Sequence, residues 1–285
     1  MQSAAPPVPP IEHYENFPVA SFLCPVHLRA PIAAIYHFAR TADDIADEGN
    51  ATAGQRLEEL AAYKRELDAA ASNSPSIDSR WPWVFEPLKF ALRSHKLPPL
   101  LLHDLLDAFA QDIRKSDAAE HYANHSELLD YCRRSANPVG RLMLHLYGVT
   151  DPLALTRSDS ICTALQLINF WQDLRVDIPR GRYYLTQDDC ARFGVLQEDL
   201  VNLQASKNAT TLIAHCVATA RATMLKGSEL VHQIPGRAGW ELRLVVQGGL
   251  RILDRIDAIE FATLTQRPTL RWRDYVVMTW RALWM

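Results

Sequence analysis

Apolar side chains recur at three- and four-residue steps along most of the chain, the period of an amphipathic helix. Residues 26–47 show it first: Leu28, Ile32, Ile35 and Phe38 share a face, with Pro31 near the start. Residues 55–71 read as a second helix by propensity. Residues 72–82, rich in Ser and Pro, read as a loop. Pro98 and Pro99 open a helix whose Leu102, Leu105, Leu106 and Phe109 make one apolar face. Ser126 is the candidate cap of a helix running towards Gly148, kinked at Asn137–Pro138. Residues 152–178 form one long helix that Pro179-Arg-Gly-Arg182 breaks. Residues 208–231 and 239–264 make two more, separated by Pro235 and Gly236, and residues 267–285 close the chain with a Trp- and Arg-rich segment. The two Val pairs, Val245–Val246 and Val276–Val277, are short and sit inside helical periods. The pattern predicts an all-α fold, with residues 13–285 as one domain after a Pro/Ala-rich, flexible leader at residues 1–12.

Composition narrows this further. A chain of 285 residues, 48% hydrophobic and 22% charged, buries a sizeable core and is not globally disordered. The formal charge of −3 excludes a global basic field, so no nucleic-acid partner is expected. Eleven glycines and the absence of GxGxxG or GxxxxGK[ST] argue against the common nucleotide-cradling loops. Five scattered cysteines without a CxxC read as free thiols in a reducing compartment, and no apolar run is long enough to span a bilayer. A cytoplasmic protein is expected.

Two acidic clusters carry the candidate chemistry. Asp43, Asp44 and Asp47, with Glu48, end an otherwise apolar helix. Asp43 and Asp47 are four apart and share a face, where they repel each other and meet the unfavourable end of the helix dipole. A bound cation or a solvated helix end both account for that cluster alone. The second is sharper: Asn169, Asp173 and Asp177 stand at i, i+4 and i+8 among Leu165, Leu167, Ile168, Phe170, Trp171 and Leu174. A polar stripe on an apolar helix lines a cavity rather than facing solvent. All-oxygen ligands suit Mg²⁺, with Mn²⁺ as a substitute, and Mg²⁺ commonly reaches its site with substrate phosphates. Two such stripes facing each other across a helical bundle make a metal trap for a diphosphate, with apolar and aromatic walls for a carbocation. Arg40, Arg182 and Tyr184 are the candidate diphosphate contacts near the stripes.

At these residues the sequence resembles the squalene/phytoene synthase family. Asp43–Asp47 is similar to its first DxxxD motif, Asn169, Asp173 and Asp177 to its NxxxDxxxD motif, and Arg182–Tyr184 to the loop that follows. Tyr131-Cys-Arg-Arg-Ser-Ala-Asn-Pro-Val-Gly140 is similar to its central-helix motif. The resemblance implies an isoprenoid synthase bundle around a central cavity, metal ligands at Asp43, Asp44, Asp47, Asn169, Asp173 and Asp177, and substrate contacts at Asn16, Phe17, Arg40, Gly140, Gln166, Arg182 and Tyr184, with Tyr131 beside the reacting centre. The stretches Glu15-Asn-Phe-Pro-Val-Ala-Ser21, Ala39–Asp47 and Asn169-Phe-Trp-Gln-Asp173 resemble the branch that converts presqualene diphosphate and water to hydroxysqualene and diphosphate in hopanoid biosynthesis, without NADPH. Hand-off to other enzymes of that pathway is then expected. Gln172 stands where condensing members carry Arg, and Tyr14-Glu15-Asn16-Phe17 where they carry a Ser-rich contact. Both departures remove groups associated with a second diphosphate. A condensing squalene or phytoene synthase and a non-catalytic assembly protein remain open beside this reading.

Other pairs read as decoys. His121 and His125, at i and i+4, lack a third zinc ligand and read as helix-surface histidines. Glu229 and His232 form a lone ExxH, and Ser21 and Ser135 have no triad partners. The Arg/Trp segment from Arg267 to Trp284 fits either an interfacial helix in peripheral contact with the inner membrane or a helix packed on the bundle.

Overall fold

The computed structural model describes residues 24–78, 80–234 and 236–285, and every regular element among them is helical. In chain order these are α1 (Val26–Asp47), α2 (Ala53–Ala71), α3 (Pro82–Ser94), α4 (Pro99–Asp117), α5 (His125–Ser135), α6 (Asn137–Leu146), α7 (Pro152–Asp177), α8 (Gln187–Phe193), α9 (Gln197–Val201), α10 (Lys207–Ser228), α11 (Gly236–Ala258) and α12 (Trp272–Leu283). Short 3₁₀ turns follow α7 and α10. The described residues divide into two compact units, residues 24–114 with 138–150 and residues 115–137 with 151–285.

In the first unit α1, α2 and α3 pack on one another around an aromatic centre. Phe38 stacks on Tyr63 at 5.2 Å, and Tyr63 meets Trp81 and Phe85 at 5.0 and 4.7 Å. The Tyr63 hydroxyl, buried with its ring, donates to the Phe38 carbonyl at 3.1 Å, so that no polar atom of this side chain is stranded. Buried Glu66 accepts bonds from the Ser76 hydroxyl and the Ile77 and Asp78 backbone N–H groups, and ties the loop after α2 to that helix. The helix α3 lies where the sequence pattern gave no helix. Its Pro82 occupies the first turn, where the missing N–H costs nothing, and Pro87 is buried one turn later.

In the second unit α7 packs along α10 and also meets α5 and α11. It buries residues on every side, which is why it lacks a clean amphipathic stripe. Close approach to α10 needs Gly227: a Cβ there would lie 2.5 Å from the Arg157 carbonyl oxygen and 2.8 Å from Ile161. Two local expectations are corrected. The cap of α5 is Asn124, whose Oδ1 accepts the Glu127 N–H at 3.0 Å, rather than Ser126. His121 precedes α5 instead of sharing a helical face with His125; it stacks on Tyr183 at 4.1 Å. Burial of the His121 ring lowers its pKa, with nearby Lys115 acting in the same direction against a backbone bond to Leu185. Cys24, Cys132, Cys162 and Cys216 are buried and Cys190 is half-buried, and no described helix is long and apolar enough to cross a membrane.

Candidate active site

The first acidic motif ends α1 in the first unit. Asp43 and Asp44 are half-buried and Asp47 is exposed. Arg40, one turn back on the same helix, inserts its guanidinium among these carboxylates: it lies 3.3 Å from Asp43, 2.8 Å from Asp44 and 3.0 Å from Glu48. The like charges at i and i+4 are thus offset by a cation of their own helix. Gly140 lies in the same unit, on α6.

The second motif lies on α7 in the second unit. Asn169 and Asp173 are half-buried and Asp177 is buried, although they sit on a helix otherwise lined by apolar side chains. Gln166 is half-buried one turn before Asn169. A strap of residues 265–268 crosses this stripe. Arg267 grips Asp173 with two bonds, Nε to Oδ1 at 2.5 Å and a terminal nitrogen to Oδ2 at 3.1 Å. The Gln172 amide donates to the Pro268 carbonyl at 2.8 Å, and Arg175 donates to the Thr265 carbonyl. The bonds to Asp173, with the charge of Asp177 nearby, hold the Arg267 guanidinium protonated still more firmly than usual. Arg267 was not among the residues singled out as site candidates. Nothing local marks it, because its partner is 94 residues away.

Past Asp177 the chain turns through Gly181 at φ 76°, a left-handed conformation that disfavours a side chain. A Cβ there would also lie 2.7 Å from the Ser116 carbonyl oxygen. The turn lets the Arg182 N–H bond back to the Asp177 carbonyl at 3.1 Å, which holds Arg182 next to the end of the acidic stripe. Tyr184 then folds onto α7 and stacks on Phe170, with centroids 3.7 Å apart and planes 10° from parallel. Tyr131 joins them at 6.1 Å from Phe170 and 6.4 Å from Tyr184, and Tyr122 completes the cluster. All four rings are buried. Lys115 lies 4.7 Å from the Tyr122 ring centre and pairs with Glu120 and Glu127. Burial alone would lower the Lys115 pKa, but those two carboxylates outweigh it and raise it. The ring faces are compatible with a positive charge nearby. On α7 itself, the buried Trp171 Nε1 has no hydrogen-bond partner among the described residues, and neither does the buried Ser135 hydroxyl at the end of α5. Stranded polar atoms of this kind suit a site that also binds something else.

The candidate metal ligands are all oxygen donors, the set that fits a hard divalent cation. Among the described residues no three His, Cys, Asp or Glu side chains converge tightly enough to hold a metal by themselves. Each stripe is instead neutralised by an arginine. Asn16 and Phe17 lie outside the described residues.

A family model described as squalene/phytoene synthase matches residues 12–274. The hydroxysqualene synthase of Rhodopseudomonas palustris is 33% identical over 272 residues, 94% of this chain and 88% of that protein. That of Zymomonas mobilis is 37% identical over 195 residues, 67% of this chain, which spans only 61% of its length. The crystal structure of squalene synthase HpnC from Alicyclobacillus acidocaldarius superposes with a TM-score of 0.77 at 35% identity, covering 87% of this chain and 90% of that one.

Proposed function

Since the chain belongs to the squalene/phytoene synthase family, we propose that it converts presqualene diphosphate and water to hydroxysqualene and diphosphate. The observation that carries this reading is the Asn169–Asp173–Asp177 stripe on α7, half-buried to buried, a hard-oxygen ligand row that already holds a cation through Asp173. The similarity to two hydroxysqualene synthases supports the choice of reaction.

In this reading Asp43, Asp44 and Asp47 on α1 and Asn169, Asp173 and Asp177 on α7 would hold Mg²⁺. The metal supplies Lewis acidity to the diphosphate leaving group. Arg40 and Arg267 let go of their carboxylates and turn to the diphosphate oxygens, where Arg182 and Tyr184 also bind. The substrate C–O bond breaks with its electron pair leaving on diphosphate. Gly140, Gln166, Asn16 and Phe17 are further substrate contacts in this reading. The Tyr122–Tyr131–Phe170–Tyr184 ring cluster shelters the cyclopropylcarbinyl cation and its rearranged form. Tyr131 orients the water that adds to the cation, and the proton that this water loses passes to the released diphosphate. Carbon is neither oxidised nor reduced overall by an external agent, so NADPH has no role. At Gln172, a neutral amide is committed to the Pro268 carbonyl where a second diphosphate would call for a cation.

The test is a single incubation of the purified chain with Mg²⁺ and presqualene diphosphate in ¹⁸O-labelled water, without reductant, followed by mass spectrometry of the extracted lipid. A C30 alcohol carrying one ¹⁸O is expected. Unlabelled alcohol would put the oxygen's source in the diphosphate and remove the role given to water. Turnover of two farnesyl diphosphates to squalene or its dehydro form, with no alcohol from presqualene diphosphate, would make the chain a condensing synthase instead.

A further inference from the structure

The helix α12 buries one face and presents an apolar one outward. Asp274, Met278 and Ala282, at four-residue steps, are buried against α11. Arg243 of α11 donates to the Ala282 carbonyl, and Gln247 of α11 reaches the Met285 sulfur, so this face is pinned. The other face carries Trp272, Val276, Trp280 and Trp284, also at four-residue steps, each between 62 and 76% exposed. Tyr275 and Leu283 widen it and are more than half exposed. Trp280 and Trp284 meet edge-to-face at 5.8 Å, so the rings form a continuous surface. Burying one face explains why the segment is a helix. It does not explain why the outward face concentrates three tryptophans, which soluble surfaces ordinarily keep scattered or covered.

Beside this face lies a cavity of about 420 Å³ ringed by Arg251, Arg255, Arg271 and Arg273, with Asp274 at its base. Asp274 is fully buried and is saturated: it accepts from Arg251 at 2.7 Å, from Arg255 at 2.8 and 3.1 Å, and from the Arg271 N–H at 2.6 Å. The Arg271 and Arg273 guanidiniums are exposed and have no carboxylate partner among the described residues; that of Arg273 lies over the Trp272 ring at 5.3 Å. The cavity therefore carries surplus positive charge on a chain whose formal net charge is −3.

We infer that α12 and this arginine cavity dock the protein on an anionic lipid bilayer, with the tryptophan ridge at the level of the headgroups and acyl boundary and the Arg271–Arg273 pair on lipid phosphates. Tryptophan and tyrosine favour the bilayer interface because their rings are apolar and their N–H or O–H groups stay wet, and arginines next to them gain from anionic headgroups. A second copy of the chain is a poorer occupant. A two-fold interface on this face would press one arginine-rich patch against another. The inference does not depend on the reaction proposed above.

The experiment is co-flotation of the full chain with vesicles of phosphatidylcholine alone or of equal parts phosphatidylcholine and phosphatidylglycerol, at low and high salt, with tryptophan emission and light scattering recorded in parallel. Binding to the anionic vesicles with a blue shift, weakened by salt, is expected. Trp280→Ser with Trp284→Ser, and Arg271→Gln with Arg273→Gln, should each weaken it at least about tenfold. Leu100→Ser, at an equally exposed apolar site on α4, should leave it unchanged. All of these side chains are exposed, and helical circular dichroism should be unaltered in each variant. No binding to anionic vesicles, binding that the two double variants do not weaken, or self-association in solution abolished by the tryptophan pair would each overturn the inference.

Discussion

Arg267 and Asp173 set the chemistry available to the second motif. With Arg267 in place, the Asp173 carboxylate is already paired, and a divalent ion must displace the guanidinium before binding. Arg267→Gln should therefore tighten Mn²⁺ binding to the substrate-free protein by several-fold, read by titration with electron paramagnetic resonance, while lowering turnover because a diphosphate contact is lost. Unchanged Mn²⁺ affinity would show that the arginine is not a competitor. Asp274 gives a stability counterpart. Burial pushes its pKa up, but the Arg271 N–H and the Arg255 and Arg251 guanidiniums outweigh this and hold the carboxyl at about 2. That is below the unfolded value of about 3.9. The stabilisation is thus complete above about pH 4 and is lost as the pH falls towards 2. Asp274→Ala leaves the half-buried Arg255 guanidinium without this partner, while Arg251 keeps Asp254, and should cost about 2–3 kcal/mol in urea unfolding at neutral pH. In Asp274→Asn the loss of stability between pH 4 and 2 should be shallower than in the parent.

At the scale of elements, the contact of α7 with α10 positions the acidic stripe, and Gly227 sets its distance. Gly227→Ala places a methyl group 2.5 Å from the Arg157 carbonyl oxygen and 3.0 Å from the Ile161 backbone nitrogen, atoms that move only with the helix backbone. A loss of about 1–3 kcal/mol is expected from such overpacking, measurable as a lower denaturant midpoint. If the stripe shifts with the helix, Mn²⁺ affinity should fall in the same variant. The helices themselves were largely legible: residues 26–47 coincide with α1, and the long pattern over 152–178 is α7 to within a residue. The misses have two causes. Prolines at 82 and 87 mask α3, which tertiary burial of Val84, Phe85 and Leu88 sustains against weak local preference. The short α8 and α9 carry too few turns for a period to show.

For the molecule as a whole, the proposal assigns metal ligands to both compact units. Mg²⁺ with inorganic diphosphate should then raise the melting temperature, because ligands that bind only the native state stabilise it by mass action. Asp43→Asn and Asp173→Asn should each abolish that shift, although they belong to different units. A shift that survives either change would detach that motif from the metal. Local periodicity, composition and the spacing of the two acidic motifs are properties of neighbouring residues, so the chain by itself determined the helical class, most helix positions and the family resemblance. Contacts between residues far apart in the chain decided the rest. The Arg267 clasp on Asp173, the stacking of Tyr184 on Phe170, the displacement of His121 from its helical partner and the outward tryptophan face of α12 each depend on which distant side chain arrives opposite. No three- or four-residue repeat encodes that.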